Sequence, residues 1–342
     1  MTTTITPPVR EILLDCVRTA TAAPSVHNSQ PWKFRVRGGR VDVYADSSRH
    51  LRVLDEEGRE QLISVGAAVF TLRLAIRSNG YRCDYTLFPE PGEPDLVARV
   101  TANRPAPVTA AAEALAAAVP HRHTNRWPFA QIPVPREALD RLRDAARREG
   151  AVLAVANPAG RDAVLRLARH ADQRLRRRPG YRDEFARWTG DRVRNDGVPP
   201  RAAGPWDALE SVPVRDFTEV SAQHQNGEPF EPYPTVLVLT TASDRPVDWV
   251  RAGQALQRVL LTATWQDLAT MPISQPVEVP AVRWLLIEPG SGLFAQMVLR
   301  VGYGRTTEGT PRRPLSEVLM PSHDSRTDGS VRARRRASGG SV

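Results

Sequence analysis

Apolar side chains recur every three or four positions in residues 8–23 and again in residues 61–79, a spacing that predicts two amphipathic helices. Between them, alternating apolar and polar residues flank the glycine pair at 38–39, which predicts a β-hairpin. A second strand pair is expected around residues 84–88 and 96–100. The first third of the chain therefore combines helices with antiparallel strands.

The pattern begins again after residue 120, which indicates an internal repeat. The helical pattern at Arg10 recurs at Arg136, and the small-residue pattern at Gly66 recurs at Gly253. MVLRV in the last quarter likewise resembles LVARV in the first half. Amphipathic helices can resemble one another by chance, but three matches in the same order favour a duplication. We therefore predict an α+β fold of two tandem copies that form a pseudo-dimer, with mainly antiparallel sheets flanked by helices.

The second copy is longer than the first because it carries an insertion at about residues 160–234. This insertion is helical at first, then rich in proline and glycine, and too long for a plain connection. It is either a lid over a site or a clasp between the copies. The expected organisation is a first half over residues 1–110, a second half over residues 111–320, and a disordered basic tail over residues 321–342.

Length and composition fit this organisation. The chain has 342 residues, more than one hydrophobic core usually serves, and its 41% hydrophobic and 25% charged content is ordinary for a soluble enzyme. No apolar run approaches the roughly 20 residues that span a bilayer. The N-terminus lacks a basic region followed by an apolar stretch. We expect a cytoplasmic protein without a membrane partner.

A net charge of +9 raises the question of a nucleic-acid partner. Residues 322–342 hold five arginines and two aspartates, so the tail contributes +5 − 2 = +3 and the remaining body carries +6. The arginines of the body are spread among acidic neighbours rather than along one stripe. Nucleic acid therefore remains a weak alternative.

Cysteine and motif content narrow the function classes further. Cys16 and Cys83 form no CxxC pair, so neither a disulfide framework nor a cysteine metal site is indicated. His121 and His123 have no nearby carboxylate, which favours packing or phosphate contact over a metal site. The chain has no Walker motif, no GxGxxG after a strand and no GxSxG elbow, so an ATPase, a Rossmann dehydrogenase and an α/β-hydrolase lack their usual signal.

The segment APSVHNSQPW, residues 23–32, combines two prolines with turn-forming polar residues and predicts a rigid loop before the first strand. The amide side chains of Asn28 and Gln30 can both donate and accept hydrogen bonds. A ligand with donors and acceptors along one edge would suit them. The alternative is a structural turn in which Trp32 is simply buried.

The segment HRHTNRWPF, residues 121–129, concentrates cations around a hydroxyl group. Arg122 and Arg126 offer forked donors, and Thr124 lies between them in sequence. A phosphate monoester is bound by such donors, because guanidinium groups make paired contacts that an ammonium group does not. The alternative is a solvated basic turn.

Together these two segments resemble the flavin-binding motifs of the FMN-dependent nitroreductases. The insertion from Tyr181 to Pro199, with its YRDEF, tryptophan and DGVP elements, is similar to that of the Acg-like subgroup. The resemblance covers residues 8–320. It implies a nitroreductase-like fold in which the first half supplies the loop at the isoalloxazine ring and the second half supplies the phosphate motif. One chain would then hold one FMN as a monomeric pseudo-dimer.

The resemblance also implies individual contacts. Asn28 and Gln30 would bond the ring edge from N3 to O4, and the backbone from Ile273 to Gln275 would donate an N–H group to flavin N5. Arg126 would hold phosphate or approach the pyrimidine side, where positive charge stabilises the N1 anion of reduced flavin. The full set of expected flavin-binding residues is Ser25, His27, Asn28, Gln30, Arg122, His123, Thr124, Arg126, Pro272, Ile273, Ser274, Gln275, Arg312 and Arg313.

The implied activity is a two-step hydride transfer in which NAD(P)H reduces FMN, leaves, and is replaced by a nitroaromatic or quinone acceptor. The flavin performs this chemistry, so no side chain needs to be a catalytic acid or base. An alternative is a catalytically silent flavin-binding or flavin-sequestering protein, because the insertion is long enough to cover the face that nicotinamide must reach.

Overall fold

The computed structural model describes residues 9–189, 194–217 and 227–321. Helices and strands alternate along these residues. The helices are α1 (Arg10–Ala20), α2 (Arg59–Ser78), α3 (Ala110–Ala118), α4 (Arg136–Arg147), α5 (Pro158–Arg176), α6 (Tyr181–Arg187), α7 (Pro246–Trp265), α8 (Gln275–Glu278), α9 (Pro280–Arg283) and α10 (Leu315–Val318). The strands are β1 (Trp32–Arg37), β2 (Arg40–Ala45), β3 (Tyr81–Leu87), β4 (Leu96–Pro105), β5 (Val152–Val155), β6 (Thr235–Thr241), β7 (Ala269–Pro272) and β8 (Phe294–Gly302).

Two four-stranded sheets organise the chain, with strand orders β1-β2-β4-β3 and β5-β6-β8-β7. All neighbouring strands in them are antiparallel. Each sheet also has a register shift in its second strand, between Val43 and Tyr44 in β2 and between Leu239 and Thr240 in β6. The two sheets thus repeat one topology. The predicted α+β fold with mainly antiparallel sheets is confirmed.

The predicted elements of the first half are present with shifted ends. The helix expected from residue 61 begins at Arg59, because the Asp55 carboxylate accepts hydrogen bonds from the N–H groups of Glu60 and Gln61 at 3.0 and 2.8 Å. The first turn of this helix is charged, so the spacing of apolar residues does not reveal where the helix begins. In β1, side chains alternate between the core and a half-buried face, as the hairpin pattern predicts.

Helices α2 and α7 pack against each other at a pair of glycines. A Cβ atom added to Gly66 would clash with the carbonyl of Val250, and one added to Gly253 would clash with the carbonyl of Ile63. Both glycines and both carbonyl residues are separated by 187 positions in sequence, so the crossing itself has twofold pseudo-symmetry. Because the backbones approach so closely, Ile63 enters the core of the second half and Val250 enters that of the first.

The second half also extends a segment onto the first half. Val318, from the end of the second half, lies fully buried in the core of the first half, and the N–H group of Met320 donates to the carbonyl of Phe34 in β1 at 2.7 Å. Helix α3, next to the expected boundary between the halves, contacts both of them, since Leu115 lies in one cluster with Leu74 of α2 and Leu261 of α7. These contacts bring residues from both ends of the chain to the region between the sheets.

The described part of the insertion contacts both halves. Leu165 and Ala168 of α5 are buried in a core with Val298 of β8, whereas α6 packs on the first half. The carboxylate of Glu184 accepts hydrogen bonds from the N–H groups of Val53 and Leu54 at 3.0 and 2.8 Å. Tyr181 and Phe185 are buried with Leu54 in a small separate core. This part of the insertion therefore fastens α5 and α6 to the loop before α2, and its later residues reach the space between the halves.

Some sequence expectations have partial outcomes. Both cysteines are free and buried, and burial raises the pKa of the Cys16 thiol to about 12, as suits small core residues. Helix α2 is long and apolar enough to cross a membrane by length and composition, but 83% of its apolar window is buried inside the protein, as in any core helix. The basic tail lies outside the described residues from residue 322 onward. The half boundaries and the insertion limits remain predictions.

Substituting Gly66 by Ala should destabilise the fold, because the new methyl group would displace the α7 backbone at the crossing. We expect the free energy of unfolding to fall by about 2 kcal/mol, the size of an overpacked core site after the small gain in helix propensity. Denaturant titration followed by circular dichroism measures it.

Gly92→Ala is the matched control, since a Cβ atom at Gly92 would meet nothing within 4 Å. That variant should unfold at the wild-type midpoint. Equal midpoints for Gly66→Ala and Gly92→Ala would show that the helices do not need their glycine contact.

Candidate functional site

Two adjoining cavities lie between the halves. The larger one, here the main cavity, encloses about 810 Å³ of empty space including its open mouth, and the smaller one, the side cavity, encloses about 400 Å³. Four residues line both: Pro24, Ser25, Thr124 and Arg126. The two cavities are therefore continuous along the boundary between the 23–32 loop and the 121–129 segment, the two motifs singled out in the sequence.

The 23–32 loop has an unusual backbone. His27, Asn28 and Gln30 have φ angles of 46, 53 and 49°, in the left-handed region that side chains other than glycine rarely adopt. The Oγ atom of Ser25 accepts a hydrogen bond from the N–H group of Gln30 at 2.9 Å and stabilises this conformation. Such strain persists only where the surroundings fix it, and it is concentrated at functional sites.

His27 lies at the wall of the main cavity. Its imidazole ring packs edge-on against Phe185 and Phe217, at 5.3 and 5.9 Å between centroids. Neither ring nitrogen has a hydrogen-bond partner among the described residues. Burial, then the charges of Arg215 and Arg126, hold the pKa of His27 well below its usual value. The ring is therefore neutral at physiological pH and offers one unused donor and one unused acceptor.

Asn28 and Gln30 do not present free amides at the main cavity. Gln30 is fully buried; its side-chain amide donates to the Asn195 carbonyl at 2.8 Å and its oxygen accepts from the Arg313 N–H group at 2.8 Å. Asn28 lines only the side cavity, where its amide donates to the Gly197 carbonyl at 2.9 Å. In this structure the amide groups of Asn28 and Gln30 are therefore not free to contact the N3 to O4 edge of a flavin. Their hydrogen bonds instead connect the loop to the insertion and to the C-terminal segment.

Arg122, Arg126 and Arg312 converge on the side cavity. Arg122 is 4% exposed, and its guanidinium group donates to the Ala22 carbonyl at 3.3 Å. Arg126 donates to the Ala202 carbonyl at 2.8 Å. Arg312 donates to the Asn28 side-chain oxygen at 2.9 Å and to nearby carbonyls. These three guanidinium groups, from two distant segments, are thus held by uncharged partners.

No carboxylate among the described residues pairs with any of the three. Burial and the charge of Arg312 lower the pKa of Arg122 to about 9, burial and Arg215 lower that of Arg126 to about 10, and burial lowers that of Arg312 to about 10. A lowered pKa in a folded cation means that its charge costs folding free energy at neutral pH. An anion in the side cavity would remove this cost.

Thr124 and His123 complete this end of the site. Thr124 is fixed beside β7 by a bridge with Thr270, and the N–H group of Asn125 donates to the Thr270 carbonyl at 2.9 Å. His123 lines the side cavity, and burial, followed by the charges of Arg122, Arg312 and His121, lowers its pKa. A neutral imidazole and a hydroxyl group therefore accompany the three arginines, as the sequence predicted for a phosphate contact.

Pro272, Ser274 and Gln275 line the main cavity, as do Ser25 and His27 of the 23–32 loop. The N–H groups of Ser274 and Gln275 have no acceptor among the described residues. Ile273 is different, since its N–H group donates to the Val298 carbonyl at 2.9 Å and the residue is fully buried. Of the three backbone N–H groups expected to donate to flavin N5, only those of Ser274 and Gln275 therefore remain candidates.

Arg313 was expected among the flavin-binding residues, but it lines neither of the two cavities. Its guanidinium group donates to the Gln30 carbonyl at 3.2 Å and to the Glu317 carbonyl at 2.8 Å. It also lies 3.2 Å from the Glu317 carboxylate and 3.8 Å from that of Asp46. Two nearby negative charges satisfy it, so Arg313 fixes the C-terminal segment while Arg312 faces the ligand space.

Several lining residues were missed by the sequence analysis. Glu60, Arg215 and Phe217 all line the main cavity. Glu60 follows the start of an apolar helix, where a charge looks like an ordinary first-turn residue. Arg215 and Phe217 belong to the irregular part of the insertion, which has no periodic pattern. No local signal distinguishes these residues.

Comparisons with known proteins identify a family for this chain. A sequence model described as the nitroreductase family matches residues 119–303. The Mycobacterium tuberculosis protein Rv3131, provisionally named as an NAD(P)H nitroreductase, is 32% identical over 318 residues, covering 91% of this chain and 90% of the relative. The uncharacterized protein Rv3127 of the same organism is 32% identical over 322 residues, covering 90% and 93%. A solved nitroreductase-like protein from Bacillus cereus is 16% identical, covers 61% of this chain and 96% of its own, and has a TM-score of 0.38.

Inorganic phosphate should stabilise the ligand-free protein, because it would neutralise the arginines of the side cavity. At a phosphate concentration 100 times the dissociation constant, the expected gain is about 2.7 kcal/mol. Calorimetry in phosphate and in chloride of equal ionic strength measures the difference in melting temperature.

The variant Arg312→Gln should lose most of that gain, whereas Arg136→Gln, which alters an arginine 89% exposed on α4, should keep it. If the wild-type protein melts at the same temperature in both salts, the side cavity is not an anion site.

Proposed function

Because the chain belongs to the nitroreductase family, we propose that it is an FMN-dependent oxidoreductase with one flavin site across the two cavities. The ring lies in the main cavity and the phosphate in the side cavity. The observation that carries this proposal is a group of three arginines, Arg122, Arg126 and Arg312, that have no carboxylate partner in the described part of the chain and lie beside a larger and mostly apolar space.

The residues present fit FMN in both charge and shape. Its phosphate group carries negative charge and accepts several hydrogen bonds, which the three arginines and Thr124 can supply. Its ring is flat and largely apolar, with polar atoms along one side. Ile63, Leu256 and Met271 provide apolar surface in the main cavity. Two N–H groups without an acceptor among the described residues, those of Ser274 and Gln275, provide donors in its wall.

Bound FMN supplies hydride transfer. The residues of the chain bind, orient and shield it. The arginines fix the phosphate end, and the strained 23–32 loop and the 272–275 backbone hold the ring between the halves. Arg126, which lines both cavities, places positive charge near the ring as well as the phosphate. Phe217 and neutral His27 keep water from one side of the main cavity.

The proposed reaction has two halves that use one binding space. NAD(P)H delivers a hydride and leaves, and then a nitroaromatic or quinone acceptor occupies the same space. We propose a ping-pong order because the donor and the acceptor would both react with a flavin ring held in the main cavity. Support for a nicotinamide donor comes from the family and from the provisional name of the relative.

Replacing Arg122 by Gln should weaken FMN binding by about 10- to 100-fold, the size of one lost charge-assisted hydrogen bond. Binding of riboflavin, which lacks the phosphate, should change less than about twofold. Fluorescence titration of the apoprotein with each flavin measures both constants, and absorbance of the denatured holoprotein gives the expected one flavin per chain.

Arg136→Gln again serves as the exposed control. A wild-type apoprotein that binds neither flavin, or that binds two per chain, would contradict the proposed site. If Arg122→Gln lost the same affinity for FMN as for riboflavin, the phosphate group would not bind at Arg122.

A second candidate is a flavin-holding protein with slow turnover. The observation that favours it is that the insertion supplies Pro213, Val214, Arg215 and Phe217 to the wall of the main cavity. The ring of Phe217 packs against both His27 and Phe185, at 5.9 and 5.4 Å between centroids. A wall of this kind can restrict access of nicotinamide to the ring.

Phe217→Ala should then raise the rate of anaerobic reduction by NADPH by about 10-fold, because it removes the largest apolar side chain that the insertion places on the cavity. Stopped-flow loss of flavin absorbance measures the rate. Tyr233→Ala, at a 75% exposed position of the insertion, is the control. Wild-type and Phe217→Ala proteins that are reduced equally fast would remove restricted access as an explanation.

A further inference from the structure

A carboxyl group faces the main cavity at the start of α2. Glu60 is 3% exposed, and it is the only carboxylic acid among the described residues that line this cavity. Its Oε1 atom accepts a hydrogen bond from the Nη2 atom of Arg59 at 2.9 Å, and the same Nη2 atom donates to the Val277 carbonyl at 3.0 Å. Arg59 therefore draws the start of α2 and the end of α8 together.

A second carboxyl group stands behind the first. Glu278, the last residue of α8, has a fully buried side chain and forms an ion pair with Arg215 of the insertion. Arg215 also donates to the hydroxyl group of Tyr181 at 3.1 Å. The other oxygen of Glu278, Oε1, is buried and has no donor among the described residues. A buried carboxyl oxygen without a donor costs free energy.

Burial and the surrounding charges together favour the neutral form of Glu60. Burial, then the charge of Glu278, raises the pKa of Glu60 well above its usual value; Asp55 adds to this effect, whereas Arg59 and Arg215 oppose it. Burial is the largest influence on the pKa of Arg215 and lowers it, but Glu278, Tyr181 and Asp172 together outweigh burial and raise it. Glu60 is 3% exposed, so its ionisation would place a negative charge near the Glu278 carboxyl group in a region shielded from water.

The other titratable groups of the main cavity are poor acids. His27 is already neutral, and Arg126 and Arg215 are guanidinium groups that hold their protons at neutral pH. The hydroxyl groups of Ser25, Ser64 and Thr124 are far weaker acids than a carboxyl group. Glu60 alone combines access to the cavity with a proton it can release.

From this arrangement we infer that Glu60 is the proton donor to the electron acceptor bound in the main cavity. The inference rests on the proposed oxidoreductase function. A quinone that receives a hydride from the reduced cofactor becomes a hydroquinone anion, and Glu60 transfers its proton to that oxygen. One hydride and one proton thus complete the two-electron reduction. The Glu60 carboxylate then regains a proton from water at the cavity mouth.

Infrared difference spectroscopy tests the protonation of Glu60 without any turnover. The wild-type holoprotein at neutral pH should show the carbonyl stretching band of a buried carboxylic acid, and the band should disappear as pH rises through the raised pKa. Glu60→Gln should lack the band. Glu57→Gln, which makes the same change at an exposed position three residues earlier, should retain it. A wild-type protein without the band at neutral pH would overturn the inference.

Half-reaction kinetics test the role of that proton. Glu60→Gln should be reduced by NADPH at the wild-type rate, but it should pass electrons to a quinone about 100-fold more slowly, the usual size of one general-acid contribution. The wild-type rate of quinone reduction should be constant at low pH and fall as Glu60 loses its proton, and the variant should lack this dependence. Glu57→Gln should behave as wild type. Equal quinone rates and pH profiles for Glu60→Gln and wild type would sink the inference.

The folding and flavin binding of the Glu60→Gln variant also test the inference. An amide mimics a neutral carboxylic acid, so Glu60→Gln should fold and bind flavin as the wild type does. Loss of folding or of flavin in this variant would show that the anion is the required form, which contradicts the proton-donor role. A failure of the proposed function looks different: the apoprotein would bind no flavin, or the flavin would resist NADPH, while the infrared band of Glu60 remained.

Discussion

The close crossing of α2 and α7 at Gly66 and Gly253 is the constraint on which the rest of the structure depends. Because glycine has no side chain, the two helix backbones can lie in contact at these positions. Each helix thereby contributes a residue to the core of the other half. The crossing also sets the start of α2, with Glu60, against the 271–275 segment across the main cavity. The cavities are a consequence of how the two halves meet.

The two halves share a strand order but differ in what they place at their boundary. The first half carries the strained loop with three left-handed residues, and the second carries the segment with Arg122, Thr124 and Arg126. Each feature would be incomplete alone: the loop has no cations, and the arginines have no apolar wall. The C-terminal segment adds Arg312 to the second feature and holds it against Asn28 of the first. The two halves have the same strand order, but they differ in the residues at their boundary. We propose that these different residues together form one ligand site.

Much of this could be predicted from the sequence because the signals are local. The hairpin at Gly38 and Gly39, the apolar spacing of α2, and the recurrence of Gly66 at Gly253 depend on residues near one another or on a repeated pattern. The arginines at 122 and 126 were recognised from the chemistry of their own segment. That they and the 23–32 loop would meet followed from a family resemblance. Their roles toward a flavin remain predictions.

What could not be predicted depends on partners distant in sequence. Gln30 and Arg313 looked like ligand contacts, yet they bond each other across 283 positions, and a free amide in a motif cannot be distinguished from a satisfied one without that partner. Glu60 was overlooked for the same reason, since its environment comes from Glu278 and Arg215 rather than from its own helix.

The docking of the C-terminal segment on β1 has a consequence for biogenesis. Met320 pairs with Phe34, and Arg312 with Asn28 across 284 positions, so the ligand space cannot be completed while the nascent chain is still short of these residues. Vectorial synthesis can form the first sheet early, but the ligand space is finished only after the segment from Arg312 to Met320 has left the ribosome. A polypeptide truncated before this segment would lack both the Arg312 cation and the buried Val318 side chain, so the end of the chain that is made last governs when a ligand can first be retained.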